Sequence, residues 1–230
     1  MILVYFLKSV NVIHIGIDPA GGGKSSDYTI ASIAMEEDEV VILGLDGSSS
    51  YLHNDVMLML YDHIMGLRAL PQYSQAVLVF YIEANMSWLA VNHLQNYFNQ
   101  SQFGRVQIVS RDPKNLGRAG VWTGPQEKEM MAKDLVQVMS DGKLHFAQDL
   151  VSDNPERNIM KLFGQLDYFS RIVIPPSDES KGENKIVYSG KGVGRKDDLV
   201  LSLMLAITHA KLTRLDPSFV ETCITNGWRY

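Results

Sequence analysis

Cysteine is nearly missing from this chain: Cys223 stands alone among 230 residues. One thiol excludes an internal disulfide and any zinc site built on cysteines, and it fits a reducing compartment. Long apolar runs are missing too. None approaches the roughly 20 residues that a membrane-spanning helix needs, so no membrane is expected among the partners. The opening Met1-Ile2-Leu3-Val4-Tyr5-Phe6-Leu7-Lys8 is apolar but short. It lacks a basic leader region and a small-residue cleavage site, and reads as a first strand or a cut from a longer polypeptide rather than a signal peptide. Excess positive charge is absent as well. The net charge of -5 argues against a generic basic nucleic-acid coat. It leaves room for an acidic enzyme site, because bound cations take several negative charges out of the count.

What is present is ordinary globular composition, 46% hydrophobic and 20% charged, without repeats or a long linker. One domain over 1–230 is expected, with a core at about 12–212 and a weakly patterned tail at about 213–230. Residues 12–17 read as a buried strand, and 28–35 and 39–45 as two more, joined through the acidic turn Glu36-Glu37-Asp38. The apolar spacing of Val56, Leu58, Leu60, Ile64 and Leu67 predicts a helix over about 52–68, stopped by Pro71. The continuous run 77–82 predicts a central strand covered on both faces. Residues 87–98 read as a helix and 106–109 as a short strand. Pro125 opens a helix, and Pro155 opens another that runs to about Arg171. A short hairpin is expected around 185–188. The stretch 198–212 is apolar nearly all round, the mark of a buried helix. Three strands in a meander, followed by alternation of helices and strands, make an α/β fold with a mixed sheet covered on both faces.

Three acidic positions stand where a fold holds side chains rigidly. Asp18 ends the first apolar run and Glu83 ends the run 77–82. Asp197 and Asp198 open the last helix. A right-handed crossover would set the strand ending at Glu83 parallel to, and beside, the strand ending at Asp18. If the last helix starts at that edge, the carboxylates share one place. Each has a bland reading: Asp18 before Pro19 as a turn residue, Glu83 as a solvated strand end, Asp197 and Asp198 as helix-start residues. Together they suit hard divalent cations, which take oxygen ligands, and a pair of such ions clamps the attacking and leaving oxygens of a phosphodiester. Asp27 is a candidate auxiliary ligand.

Gly21-Gly22-Gly23-Lys24-Ser25 does not complete a nucleotide-binding P-loop. The position that such a loop reserves for its first glycine holds Asp18, and the following segment reads as a strand instead of a helix. No nucleotide is expected. Lys181, Lys185, Lys191, Arg195 and Lys196 make a basic stretch running into Asp197, suited to DNA phosphates; Lys114 and Arg118 are weaker candidates. His145 and the other histidines show no metal-ligand spacing. Trp88 and Trp122 read as packing residues.

Gly16-Ile17-Asp18-Pro19-Ala20 with Asp27-Tyr28-Thr29-Ile30-Ala31, then Tyr81-Ile82-Glu83, then Lys196-Asp197-Asp198-Leu199-Val200, resemble the nuclease domain of viral terminase large subunits, the DNA-packaging motors of tailed phages and herpesviruses. The stretch from Leu144-His145-Phe146 to Asp149-Leu150-Val151-Ser152 resembles the herpesvirus side. The resemblance spans about 12–212. It implies a ribonuclease-H-like fold, with a central mixed sheet whose first three strands are antiparallel and helices on both faces. It implies two Mg²⁺ or Mn²⁺ ions held by Asp18, Glu83 and Asp198, with Asp197 as neighbour or alternate. The implied activity is endonucleolytic cutting of concatemeric viral double-stranded DNA during packaging, with low sequence specificity. The implied partners are double-stranded DNA, the terminase ATPase domain, the small subunit and the portal. The implied place is the infected host cell, in the nucleus for a herpesvirus or the bacterial cytoplasm for a phage. Without a Walker motif the chain answers to the nuclease part alone. The rival readings are a structure-selective nuclease such as a Holliday-junction resolvase, a non-catalytic module docking DNA or the motor, and an actin-like nucleotide-binding domain. The last lacks its second phosphate loop.

Overall fold

The structure, a computed structural model, describes residues 4–5, 7, 9–19, 26–50, 52–85, 88–98, 100–111, 119–175, 185–190 and 196–215. β1 (Val4–Tyr5) precedes three longer strands, β2 (Val12–Asp18), β3 (Tyr28–Glu36) and β4 (Glu39–Ser48). These three form the expected antiparallel meander. Glu37 takes a positive φ of 54° in the turn between β3 and β4. Then come α1 (His53–Ala69), β5 (Val77–Ile82), α2 (Trp88–Phe98), β6 (Val106–Ile108), β7 (Ser110–Arg111), β8 (Gly120–Val121), α3 (Pro125–Ser140), β9 (Leu144–Val151), α4 (Pro155–Tyr168), β10 (Ser170–Ile174), β11 (Lys185–Ser189) and α5 (Asp198–Leu215).

Among the described residues, seven strands form the central sheet in the order β1-β9-β4-β3-β2-β5-β6. β2 and β5 are parallel neighbours with Ile17 opposite Ile82, as the crossover argument requires. Alternate residues of each strand feed two cores. Ile13, Ile15 and Ile17 meet α1 and α2, through Leu60, Ile64 and Val91. Val79, Tyr81 and Ala31 meet α3, α4 and α5, through Leu135, Leu162 and Leu203. α5 lies across β2 and β3. At Gly16 an added Cβ would stand 1.9 Å from the Ser202 carbonyl oxygen, so helix backbone rests directly on strand backbone there.

Two segments depart from the sequence reading. Residues 144–151 form β9, a strand parallel to β4, where the pattern assigns no element. Its polar residues hide the period: His145 is buried against Glu39 Oε2, while Gln148 and Asp149 are exposed. The helix expected to reach Arg171 ends at Tyr168. The β-branched Ile172, Val173 and Ile174 pair antiparallel with β11 instead, so the expected hairpin around 185–188 joins the chain to β10.

Buried polar groups tie these layers together. Asp46 at the end of β4 accepts from His63 Nδ1 of α1 (2.6 Å), from the Asp153 amide (2.9 Å), and from Ser152 Oγ and Asn158 Nδ2 (3.1 and 3.2 Å) at the start of α4. Burial alone would raise the pKa of this carboxyl, but His63 and the other donors outweigh it and hold it below the ordinary value. Under α5, His14 Nδ1 meets Tyr81 Oη at 2.9 Å, and Tyr81 Oη meets Thr213 Oγ1 at 3.0 Å. No helix among the described residues is long and apolar enough to cross a membrane.

Burial lowers the His14 pKa from the ordinary 6.5 to about 4. Its neutral ring therefore contributes stability that is fully present above 6.5 and is lost as pH falls from 6.5 toward 4. At about 1.36 kcal/mol per unit, the loss by pH 4 is on the order of 3 kcal/mol. Urea unfolding at pH 7, 6, 5 and 4 is expected to show a steeper acid decline for the native chain than for His14→Leu. Equal slopes would refute the assignment.

Candidate active site

Asp18 is the last residue of β2, and Glu83 follows directly on β5. The Glu83 amide donates to the Ile17 carbonyl at 3.0 Å. Side chains alternate across a strand, and Ile17 and Ile82 face α1 and α2. Asp18 and Glu83 therefore belong to the opposite face, under α5. The Asp18 amide donates to Ser202 Oγ of α5 at 3.0 Å. Ser202 Oγ also lies 3.1 Å from the Thr29 carbonyl and 2.7 Å from Thr29 Oγ1. Thr29 Oγ1 reaches the Asp198 carbonyl at 2.8 Å. One helical turn separates Ser202 from Asp198, so this knot sets the start of α5 at the strand edge that carries Asp18 and Glu83.

All of these acids are buried: Asp18 is 4% exposed, Glu83 7% and Asp198 0%. The Asp198 and Glu83 carboxylates draw on donors, since a buried charge without them is costly. Asp198 Oδ1 accepts from Ser26 Oγ and its Oδ2 from the Asp27 amide, each at 2.7 Å. Glu83 Oε1 accepts from the Thr123 hydroxyl and from Asn85 Nδ2 at 3.2 Å, with the Lys128 ammonium 3.4 Å away. Asn85 also clips the 121–123 segment to the strand end, taking the Thr123 amide on its Oδ1 at 2.9 Å. The Tyr28 hydroxyl has its pKa pushed up by burial, and the Asp18 carboxylate nearby pushes it further.

Asp197 and Asp198 diverge. Asp197 Oδ2 accepts from Ser189 Oγ and from the Gly190 amide, each at 2.8 Å, which anchors the end of β11. Neither aspartate is needed as the cap of α5. The amides of Leu199 and Val200, the donors a capping aspartate would take, go to Gln165 Oε1 of α4 at 2.9 and 3.2 Å.

Asp27 is held by two cations. Lys161 Nζ lies 2.8 Å from its Oδ2, and Lys196 Nζ bonds its Oδ1. Burial alone would raise the Asp27 pKa, but the lysine hydrogen bonds and charges hold it below the ordinary value. A carboxylate already neutralised twice is better suited to fixing its own amide against Asp198 than to taking an ion. Lys196, a candidate for DNA contact, bonds Asp27 in this structure and stays partly exposed. Lys185 lies in β11. Lys181, Lys191, Arg195, Lys114, Arg118 and the glycine loop 21–25 lie outside the described residues. Tyr28–Glu36 does form a strand, in keeping with the rejection of a P-loop. Trp122 is 38% exposed.

The fold thus brings Asp18, Glu83 and Asp198 to one face and one edge. Among the described residues, no three acids or histidines stand close enough, as they are placed, to share one ion. The donor chemistry, all carboxylate oxygen, fits a hard divalent cation. Sequence reasoning missed Ser26, Asn85, Thr123, Lys128 and Lys161. Asn85 was within reach of it, two residues past Glu83. Thr123, Lys128 and Lys161 carry no local signal and join the site only through the tertiary fold.

No protein-family model matches this chain, and no curated protein sequence matches it. Solved structures do. The human cytomegalovirus terminase nuclease domain, Mn-soaked and with an inhibitor bound, aligns at a TM-score of 0.64 and 17% identity over 86% of this chain and 82% of that one. A second structure of that domain gives 0.62 and 16% over the same shares. This chain has the terminase nuclease fold. That fold is ribonuclease-H-like, and the mixed sheet with its antiparallel meander and helices on both faces is the expected architecture.

Gln165→Leu keeps the bulk of the side chain and removes the acceptor from the first turn of α5. It is expected to lower unfolding stability by about 1–3 kcal/mol, the cost of leaving buried donors unmet, as read from the urea midpoint. A change below about 0.5 kcal/mol would mean that the Asp197 side chain can cap the helix after all.

Proposed function

We propose that this chain is the nuclease domain of a viral DNA-packaging terminase, a metal-dependent endonuclease that cuts concatemeric double-stranded DNA with low sequence specificity. The observation that carries the reading is the set of three buried carboxylates, from β2, β5 and α5, at one edge and one face of a terminase-nuclease fold. Asp18, Glu83 and Asp198 are the residues that would hold two Mg²⁺ or Mn²⁺ ions. The manganese soaked into the cytomegalovirus domain supports that choice of metal. Such ions, when bound, supply Lewis-acid stabilisation of the phosphodiester and a nucleophilic water near neutral pH.

The chain's own residues do the rest. Asp198 is oriented by Ser26 and by the Asp27 amide, and Asp27 by Lys161 and Lys196. Thr123 and Asn85 hold Glu83. Lys128 balances the Glu83 charge and is placed to do so whenever no ion is near. Lys181, Lys185, Lys191 and Arg195 are the proposed contacts to DNA phosphates. In this reading Asp197 is an anchor and Asp27 a positioning residue. The proposed partners are double-stranded DNA, the packaging ATPase domain, the small terminase subunit and the portal, inside an infected cell.

Plasmid cleavage with Mn²⁺, Mg²⁺ or EDTA tests the assignment. Nicking and linearisation are expected with metal, none with EDTA, and none for Asp18→Ala or Asp198→Ala in samples whose circular dichroism matches the native chain. Cleavage by either variant at the native rate would overturn the site. A folded native chain that binds DNA but does not cut it with either metal would point to the docking module. A finer measurement concerns Asp27→Asn. With its lysine clamp weakened, metal affinity or activity is expected to fall about 10–100-fold, the usual cost of losing an outer-shell partner. A complete loss, matching Asp18→Ala, would make Asp27 a direct ligand.

A further inference from the structure

The sequence holds no pair of histidines at metal-ligand spacing, yet the fold makes one. His53 is the first residue of α1 and His93 sits in the second turn of α2, 40 positions later. Their Nε2 atoms stand 3.1 Å apart, with ring centroids 4.6 Å apart and planes at 71°. Both side chains are exposed. α1 and α2 pack on the same sheet face through Val56, Leu60, Val91 and Leu94, so the two backbones are fixed and the rings meet over their shared outer seam. This is the face opposite α5, and both helices start from the sheet edge at which β4 and β5 end.

We propose that His53 and His93 form a second metal site, selective for a borderline transition ion such as Zn²⁺, that clips the start of α1 to α2. The geometry is the argument. In the metal-free pair one Nε2 must carry hydrogen and the other accept it. Two imidazoles bound to zinc at about 2.0–2.1 Å and near the tetrahedral angle put their nitrogens about 3.3 Å apart. The observed pair therefore needs to open by only a few tenths of an ångström. The donor ring shifts its proton from Nε2 to Nδ1, the ion takes its place between the two Nε2 lone pairs, and water fills its remaining positions. The chemistry of the ligands sets the choice of metal. Imidazole suits Zn²⁺, Ni²⁺ and Cu²⁺, while carboxylate oxygen suits Mg²⁺ and Mn²⁺. One domain would thus carry two sites that sort ions by ligand softness. The positive end of α1 opposes a cation at His53, and Asp55 in the same first turn offsets it. The inference stands independently of the nuclease reading.

Thermal unfolding with and without Zn²⁺ tests it. The native chain is expected to gain about 5–10 °C in Tm at Zn²⁺ near 100 times its Kd. His53→Ala and His93→Ala should each lose that gain, while their metal-free Tm stays at the native value because both rings are exposed. Asp18→Asn should keep the gain, which separates this site from the carboxylates. Calorimetric titration of Asp18→Asn with Zn²⁺ should give one ion per chain, abolished by adding His93→Ala. No Zn²⁺ gain in the native chain, or an equal gain in the double variant His53→Ala, His93→Ala, would overturn the proposal.

Discussion

The direct seating of α5 on the strand pair at Gly16 is the contact on which the site depends. Any side chain there would collide with the Ser202 carbonyl, so the helix axis can come this close only over a glycine. Because helix backbone meets strand backbone, Ser202 Oγ reaches the Asp18 amide and Thr29 together. A helix standing a normal side-chain layer higher could not make those bonds. Asp198 would then have nothing to fix it over the strand ends. The apolar girdle of α5, buried from Leu199 to Ala210 with only Ser202, Thr208 and His209 interrupting it, supplies the burial that holds the helix there.

Around that contact the molecule solves one electrostatic problem repeatedly: how to keep carboxylates out of water. Asp46, Asp27, Asp197, Asp198 and Glu83 are all nearly inaccessible, and each is met by hydroxyls, amides or cations. The solutions are linked through α4. Asp46 fastens its first turn through Asn158. The same helix presents Lys161 to Asp27 and Gln165 to the start of α5. A single helix thereby spans from a buried structural acid to the support of Asp198, and its placement matters to the site although it contributes no candidate ligand.

The central architecture was legible because its signals are local. β-branched runs bounded by Pro, Gly and acidic turns gave β2, β3, β4 and β5 nearly residue for residue, and Pro71, Pro125 and Pro155 marked helix ends and starts. Asp18, Glu83 and Asp198 were legible as positions, at strand ends and a helix start. Their supports were not. Thr123 meets Glu83, and Lys161 meets Asp27, across sequence separations of 40 and 134, which no periodicity encodes. β9 was lost because its buried and exposed residues do not alternate cleanly. The choice between Asp197 and Asp198 lay open in the sequence, where both are adjacent acids before a helix. Their opposite directions appear only once β11 and the 26–27 segment are in place.

The order of the chain has its own consequence for synthesis. Asp18 leaves the ribosome before Glu83, and Asp198 with the helix that covers both follows more than a hundred residues later. At about 5–20 residues per second, the meander and its crossover spend seconds with the β2–β3 face uncovered and without their third acid. Until α5 docks, the carboxylate cluster of the nascent chain is incomplete. During that interval the uncovered apolar face, rather than a finished carboxylate edge, is what the cell encounters.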